Sequence, residues 1–398
     1  MPRALPSLRT LLFRLHWALG LTAGLVLALM GVTGALMSYE EAVIAFANRD
    51  RLAVAVQDGL PGLAPGPLAA RIEAQAREAG QERRVAALTL ANDDPGRSVV
   101  ARFARPRAGG ERPPSVYADP YDGTVLGPMR LEAAFATVEH LHRWLLIPGE
   151  GKGWGRTLTG ACALALLVFL GSGLFLRWPG RHGWRVWLRP NLARPGRARW
   201  WSLHAVIGTW LLPVYAILAL SGLWWSYEGY RAGATWLLTG QFPETRPAGR
   251  TPERKAPDLG PDGSPAVDAA WAAFSATHAA RLVTVTLPAP ETATIRIRWH
   301  AAEGSPRNEA TYDARTGALV TDRRSDEAGL GTRIAQNMLE VHRGRFFGAP
   351  AALLFCLAAL AMPGFFATGA TLYWLRRRAR RRRIAENPAR SVEAVGRS

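Results

Sequence analysis

The chain has 398 residues, 48% of them hydrophobic, with 49 Lys+Arg against 31 Asp+Glu and a formal net charge of +18. Two cysteines, Cys162 and Cys356, build neither a disulfide framework nor a thiolate metal site. The basic residues are not a nucleic-acid footprint, because they flank apolar stretches long enough to cross a bilayer.

In chain order, residues 1–10 form a short basic start and 11–40 a first membrane helix around the apolar stretch Leu11–Met37. That stretch is too long for a signal-peptide core and reads as a retained helix. Residues 41–147 are polar. They predict a helix at Pro67–Gly80, strands near Arg84–Leu90 and Ser98–Phe103, and a hairpin in "VYADPYDGTVLG". They end in a helix that carries "EHLHRW". Residues 148–178 hold the glycine-rich hinge "GEGKGWGRT" and a second span, Leu158–Leu176; the hinge fits neither a phosphate-binding loop nor a dinucleotide fingerprint. Residues 179–200 are rich in arginine, and 201–228 contain the third span, Ala205–Trp225. Residues 229–346 open with a Gly/Pro/Thr-rich linker, 229–265. A helix at Ala266–His278, strands near Leu282–Leu287 and Thr294–Trp299, the hairpin "ATYDARTGALV" and "EVHRGR" follow. The fourth span, Ala349–Leu375 within 347–375, leads to a basic tail, 376–398.

Charge sets the expected orientation. Seven arginines and no acid occupy 177–200, and seven more lie in Arg376–Arg383. Short basic flanks stay cytoplasmic. Both termini and the 179–200 loop are therefore expected on the cytoplasmic side, with two segments of roughly a hundred residues outside.

The second half repeats the first. Shifted by 188 positions, nine residues coincide between 15–40 and 203–228: Leu15/Leu203, His16/His204, Gly20/Gly208, Val26/Val214, Ala28/Ala216, Gly34/Gly222, Ser38/Ser226, Tyr39/Tyr227 and Glu40/Glu228. His142-Arg143 matches His342-Arg343, and the Asp119/Gly123 turn matches Asp313/Gly317. The expected fold is a four-helix membrane bundle made of two parallel repeats, with two periplasmic α+β domains.

Ionisable side chains in membrane helices are expensive and mark pathways or cofactors. A single histidine at a membrane edge is commonly just an interfacial polar group, but here there are two matched pairs. Imidazole is a common axial ligand of haem iron. His16 with His204, and His142 with His342, are therefore candidate axial ligands for two b-type haems, one near each face. His140 is an alternative to His142, though two residues apart on a helix they point to different faces. Arg14, Arg199, Arg143 and Arg343 are candidate partners for haem propionates, and Gly20 and Gly208 leave room for a porphyrin face. Tyr39, Glu40, Trp224, Trp225, Tyr227 and Glu228 form either an aromatic belt at the outer boundary or the floor of a substrate cleft. Glu40 and Glu228 could also bond the second nitrogen of an outer histidine. His182, His278 and His300 read as solvent-facing residues. Zinc or copper at the same histidines lacks the usual carboxylate or thiolate partners.

These motifs resemble the PepSY-associated transmembrane proteins, iron-regulated bacterial inner-membrane proteins that include ferric-siderophore reductases. The resemblance rests on "LHWALG" at 15–20, "LHRW" at 141–144, "LHAVIG" at 203–208, "VHRGRFFG" at 341–348 and the two Asp/Gly hairpins. It implies PepSY-like periplasmic domains and an oxidoreductase that passes single electrons to a periplasmic ferric siderophore. No flavin or nicotinamide domain is legible, so the electron would come from a separate cytoplasmic donor or a quinol. Two other readings stay open: a non-enzymatic membrane-anchored sensor or peptide-binding protein, and a metal transporter.

Overall fold

The computed structural model describes residues 7–57, 59–106, 112–178, 184–242, 264–278, 280–289, 294–300, 307–325 and 327–386. The predicted solvated His182 and most of the predicted 229–265 linker lie outside the described residues. Four helices are long and apolar enough to cross a membrane: α1 (Leu8–Ser38), α6 (Trp154–Arg177), α8 (Arg197–Ser226) and α13 (Ala349–Glu386). The chain is a multi-pass membrane protein. Shorter helices are α2 (Glu40–Ala47), α3 (Arg49–Leu52), α4 (Pro65–Glu78), α5 (Glu132–Trp144), α7 (Trp184–Leu188), α9 (Glu228–Thr239), α10 (Pro265–Thr277), α11 (Leu330–Gln336) and α12 (Met338–His342).

The residues divide into two compact units. The first comprises Met1–Ser38, Val138–Arg231 and Met338–Ser398, and contains the spanning helices. Its helices approach through small residues, as apolar surroundings require when no hydrophobic force drives association. A Cβ added to Gly31 on α1 would strike the carbonyl of Ala359 on α13 and come within 2.6 Å of the Met362 Cβ. One added to Gly160 on α6 would come within 2.8 Å of Ser226 and 3.0 Å of the Tyr227 ring. Tyr215 donates its hydroxyl to the Ala358 carbonyl at 2.8 Å, satisfying a buried polar group inside a cluster of Leu27, Leu166, Val214 and Phe355. The fourth helix outruns its predicted end at Leu375. Arginine is a good helix former, and the run Arg376–Arg383 contains no glycine or proline to stop it.

The second unit, Tyr39–Thr137 and Ala232–Asn337, is built on one sheet. Its strands are β1 (Val85–Ala91), β2 (Val99–Phe103), β3 (Val116–Ala118), β4 (Val125–Pro128), β5 (Leu282–Thr286), β6 (Thr294–His300), β7 (Arg307–Asp313) and β8 (Leu319–Arg323). The order is β4-β3-β2-β1-β5-β6-β7-β8, antiparallel throughout. Alternation decides which face is buried. Along β6, Ile295, Ile297 and Trp299 are buried while Thr294, Arg296, Arg298 and His300 are less so. Leu68 and Ile72 of α4, with Val267 and Phe274 of α10, complete that core. Both hairpin turns work alike. The Asp119 and Asp313 side chains accept N–H bonds from Tyr121 (2.8 Å) and Arg315 (2.9 Å), and Gly123 and Gly317 take φ of +78° and +71° that other residues resist.

Two expectations are corrected. The two α+β domains are one: β1 pairs with β5 from Ala87↔Thr286 to Ala91↔Leu282, and Thr89 meets Thr284 hydroxyl to hydroxyl at 3.1 Å. Separate sheets would each have left a bare edge of unpaired backbone groups. The predicted linker also begins as a helix, α9, because "EGYRAGATWLLT" has only two glycines and no proline.

Candidate functional site

The spanning unit brings the four repeat-matched histidines together as two facing pairs. His16 on α1 and His204 on α8 have ring centroids 6.4 Å apart with planes at 73°. His142 on α5 and His342 on α12 have centroids 6.5 Å apart with planes at 67°. Two imidazoles coordinating one metal from opposite sides, with bonds of about 2.0–2.1 Å, place their ring centres roughly 6.4 Å apart.

Each ring is held by a hydroxyl on a spanning helix. Nδ1 of His16 lies 2.8 Å from Ser172 Oγ on α6, and that of His204 2.8 Å from Thr368 Oγ1 on α13. Nδ1 of His142 lies 3.0 Å from Thr33 Oγ1 on α1, and that of His342 2.8 Å from Ser221 Oγ on α8. Every one of these hydroxyls donates its own hydrogen to the carbonyl four residues back: Val168, Gly364, Leu29 and Ile217. It can only accept from the imidazole, so Nδ1 carries the N–H. In a neutral ring bonded this way the lone pair sits on Nε2. That nitrogen has no hydrogen-bond partner among the described residues. A fixed tautomer, with the far nitrogen bonded to a second group, is the usual preparation of a histidine ligand.

The levels of the two pairs follow from chain position. His16 to Thr33 and His204 to Ser221 are both seventeen residues, about 25 Å along a helix. The backbone turn at α5 has a definite cause. Leu145 and Leu146 take φ of +55° and +57°, a conformation non-glycine residues resist, and so end α5 just past His142. Gly344, at φ +75°, ends the run after His342.

Around the first pair is a cavity of about 1270 Å³, ample beside ordinary cofactor pockets of roughly 300–1,000 Å³. It is lined by Gly20, Gly24 and Gly208 with Phe169, Phe365 and Phe366, and by Arg9, Arg14, Arg177, Arg197, Arg376, Arg377 and Arg380. A Cβ at Gly20 would meet nothing within 4 Å. Phe169 and Phe365 present ring edges to His16 (5.4 Å) and His204 (5.2 Å). An apolar slot with cations on its lining and two neutral imidazoles in it fits a flat, anionic porphyrin.

The other predicted residues separate. Arg14 lines the cavity, whereas Arg199 donates to the Arg194 carbonyl at 3.3 Å and is not among the lining residues. Arg143 pairs with Glu139 at 2.6 Å and lies over the Trp144 ring. Arg343 follows His342 at the end of α12. His140 turns away from the pair, its ring 4.7 Å from Trp144. Trp225 meets His342 edge-on at 5.7 Å, and Tyr227 packs toward Gly160. Trp224 is half-buried in the last turn of α8, and Glu228 opens α9. Burial raises the Tyr230 phenol above its ordinary pKa. Tyr39, exposed, and Glu40 begin α2 in the other unit. His278, expected at the surface, is instead enclosed by Phe274 and Trp299 and paired with Asp322 at 3.3 Å.

Sequence reasoning missed the four hydroxyls. Each sits in a Ser/Thr-Gly dipeptide: Thr33-Gly34, Ser172-Gly173, Ser221-Gly222 and Thr368-Gly369; a fifth, Thr159-Gly160 on α6, faces no histidine.

A family model described as PepSY-associated TM region matches residues 13–377. No curated protein matches the chain.

Proposed function

The chain belongs to the PepSY-associated TM region family, and from that premise we propose that it is a dihaem electron-transfer protein of the bacterial inner membrane. The observation that carries the reading is the pair of facing imidazoles at each of two levels, 6.4 and 6.5 Å apart, each in the Nε2 lone-pair tautomer. His16 and His204 would hold one haem b, and His142 and His342 the other. Bound haem would supply reversible one-electron chemistry at each level.

The chain's own residues do the rest. The hydroxyls of Ser172, Thr368, Thr33 and Ser221 fix the ligands. Phe169, Phe365 and Trp225 pack apolar rings against the imidazoles. Arg14, with Arg9, Arg177 and Arg376, supplies cations for the propionates of the first site. The arginine bias supports a cytoplasmic side for the termini and the 179–200 loop; the His16/His204 level would then lie nearer a cytoplasmic donor or quinol. The sheet-bearing unit then faces the periplasm.

The acceptor proposed is a periplasmic ferric siderophore. Hard oxygen ligands that grip Fe(III) hold Fe(II) far less well, so adding one electron frees the metal for uptake.

The test is haem stoichiometry and reduced-minus-oxidised spectra of protein from haem-supplied cells. Two haems per chain are expected, with His16→Ala and His204→Ala each losing the same one and His142→Ala and His342→Ala the other. A colourless wild-type preparation overturns the proposal. Iron release from a ferric siderophore, assayed with dithionite-reduced protein, tests the acceptor separately.

A further inference from the structure

We propose that the four Ser/Thr hydroxyls, assisted at His142 by the bare Gly34, act as positioning groups that set the rotation of each imidazole about its metal bond, so that both sites carry crossed rather than parallel axial rings. The proposal rests on the bis-imidazole haem reading above.

Each dipeptide touches two adjacent atoms of one ring. The hydroxyl takes the Nδ1 hydrogen bond. The glycine that follows lies against Cε1. A Cβ built on Gly34 would stand 3.1 Å from Cε1 of His142, on Gly173 3.5 Å from that of His16, on Gly222 3.6 Å from that of His342, and on Gly369 3.8 Å from that of His204.

Glycines in membrane helices ordinarily serve helix–helix approach. Here the neighbours say otherwise. For Gly173, Gly222 and Gly369 the imidazole atom is the single contact within 4 Å, and for Gly34 the three nearest atoms all belong to His142. Gly34 therefore makes room for a ring, while at the other three an added Cβ would stand against the ring at ordinary contact distance. Gly31, against Ala359 and Met362, shows what the packing kind looks like.

The hydrogen bond at Nδ1 is the restraint on each ring plane. The hydroxyl is itself anchored to its own helix carbonyl, so it offers its lone pair in one direction only. The outcome is the same at both levels, with planes at 73° and 67°. Crossed rings donate π density to both of the iron orbitals that parallel rings would split. A low-spin ferric site so held is recognisable from its strongly anisotropic electron paramagnetic resonance signal.

The experiment records that signal on the oxidised, haem-loaded full chain, beside bis-imidazole haem standards of parallel and crossed geometry. The second site is read alone in a His204→Ala background and the first in a His342→Ala background. Wild-type signals matching the crossed standard are expected at both sites. Gly34→Ala should move the second-site signal, and Gly369→Ala, an ordinary contact, should leave the first unchanged. Thr33→Val should shift the second-site signal and Thr33→Ser restore it, which decides the matter if Gly34→Ala fails to assemble. Parallel-type wild-type signals, or unchanged signals in both Gly34→Ala and Thr33→Val, overturn the proposal while leaving the haem reading intact. A chain that takes up no haem overturns both.

Discussion

The two histidine levels are built by the same rule with different parts. At the first, the histidines sit on spanning helices themselves, α1 and α8, and the matching phenylalanines Phe169 and Phe365 flank them. At the second, the histidines ride on short helices, α5 and α12, that lead toward spanning helices without being part of them. There the flanking groups do not match. Trp225 packs on His342, and the residue 188 positions earlier is Met37. The chain break after His142 uses two strained leucines where the other uses Gly344. The first level opens on a roomy cavity lined by arginines; at the second, a Cβ added to Gly34 would come within 3.1 Å of the His142 ring. Matched sequence therefore fixes where the histidines stand, and unmatched neighbours make the two levels distinguishable.

That difference can be tested from the largest expected effect downward. Replacing His204 by Ala and, separately, His342 by Ala should each halve haem content but remove different absorption bands. Identical residual spectra would mean the sites are equivalent and the contrast is empty. His140→Ala, by comparison, should retain both haems in the same assay.

Next is the hydroxyl. Thr33→Val leaves the His142 N–H without its acceptor in a buried place, at a cost of about 1–3 kcal/mol. The second haem should then be lost more readily than the first during thermal denaturation followed at the Soret band. Ser172→Ala, beside a large cavity that can admit water, should cost less at the first haem. Equal losses would remove the contrast between a tight and a roomy site.

Charge comes third. Arg14→Gln should lower the midpoint potential of the first haem by the equivalent of under about 1 kcal/mol, and less in high salt, since a nearby cation favours the reduced form and exposed charges are screened. The second haem's potential should not move in the same optical titration.

The smallest effect concerns Trp225→Leu. Losing an edge-on ring contact worth about 0.5–1.5 kcal/mol should loosen the second site slightly, seen as a modest rise in its haem off-rate to apomyoglobin. Met37→Leu should change little.

Much of this arrangement was legible in the chain. The apolar lengths gave four spans, and the strands near 84–90, 98–103, 282–287 and 294–299 fall within a residue or two of β1, β2, β5 and β6. Those signals are local: periodicity, β-branched runs and Asp/Gly turns. The pairing of β1 with β5 was not legible, because it joins residues nearly two hundred positions apart and no local pattern announces which edge meets which. The Ser/Thr-Gly dipeptides were hidden for another reason. Small residues are commonplace in membrane helices, and only the placement of an imidazole opposite each one separates these four from the rest. Arg199 was a candidate by nearness in sequence to His204, yet its guanidinium turns back to Arg194 in the basic loop.

The seam between β1 and β5 makes the two halves of the chain obligate companions. A cut between α6 and α8 would leave one fragment with His16, His142 and an open β1 edge, and another with His204, His342 and an open β5 edge. Neither fragment could bring two imidazoles to one iron. Each would carry the sticky strand that recruits the other, so co-expressed fragments should reassemble by backbone pairing and regain their colour together.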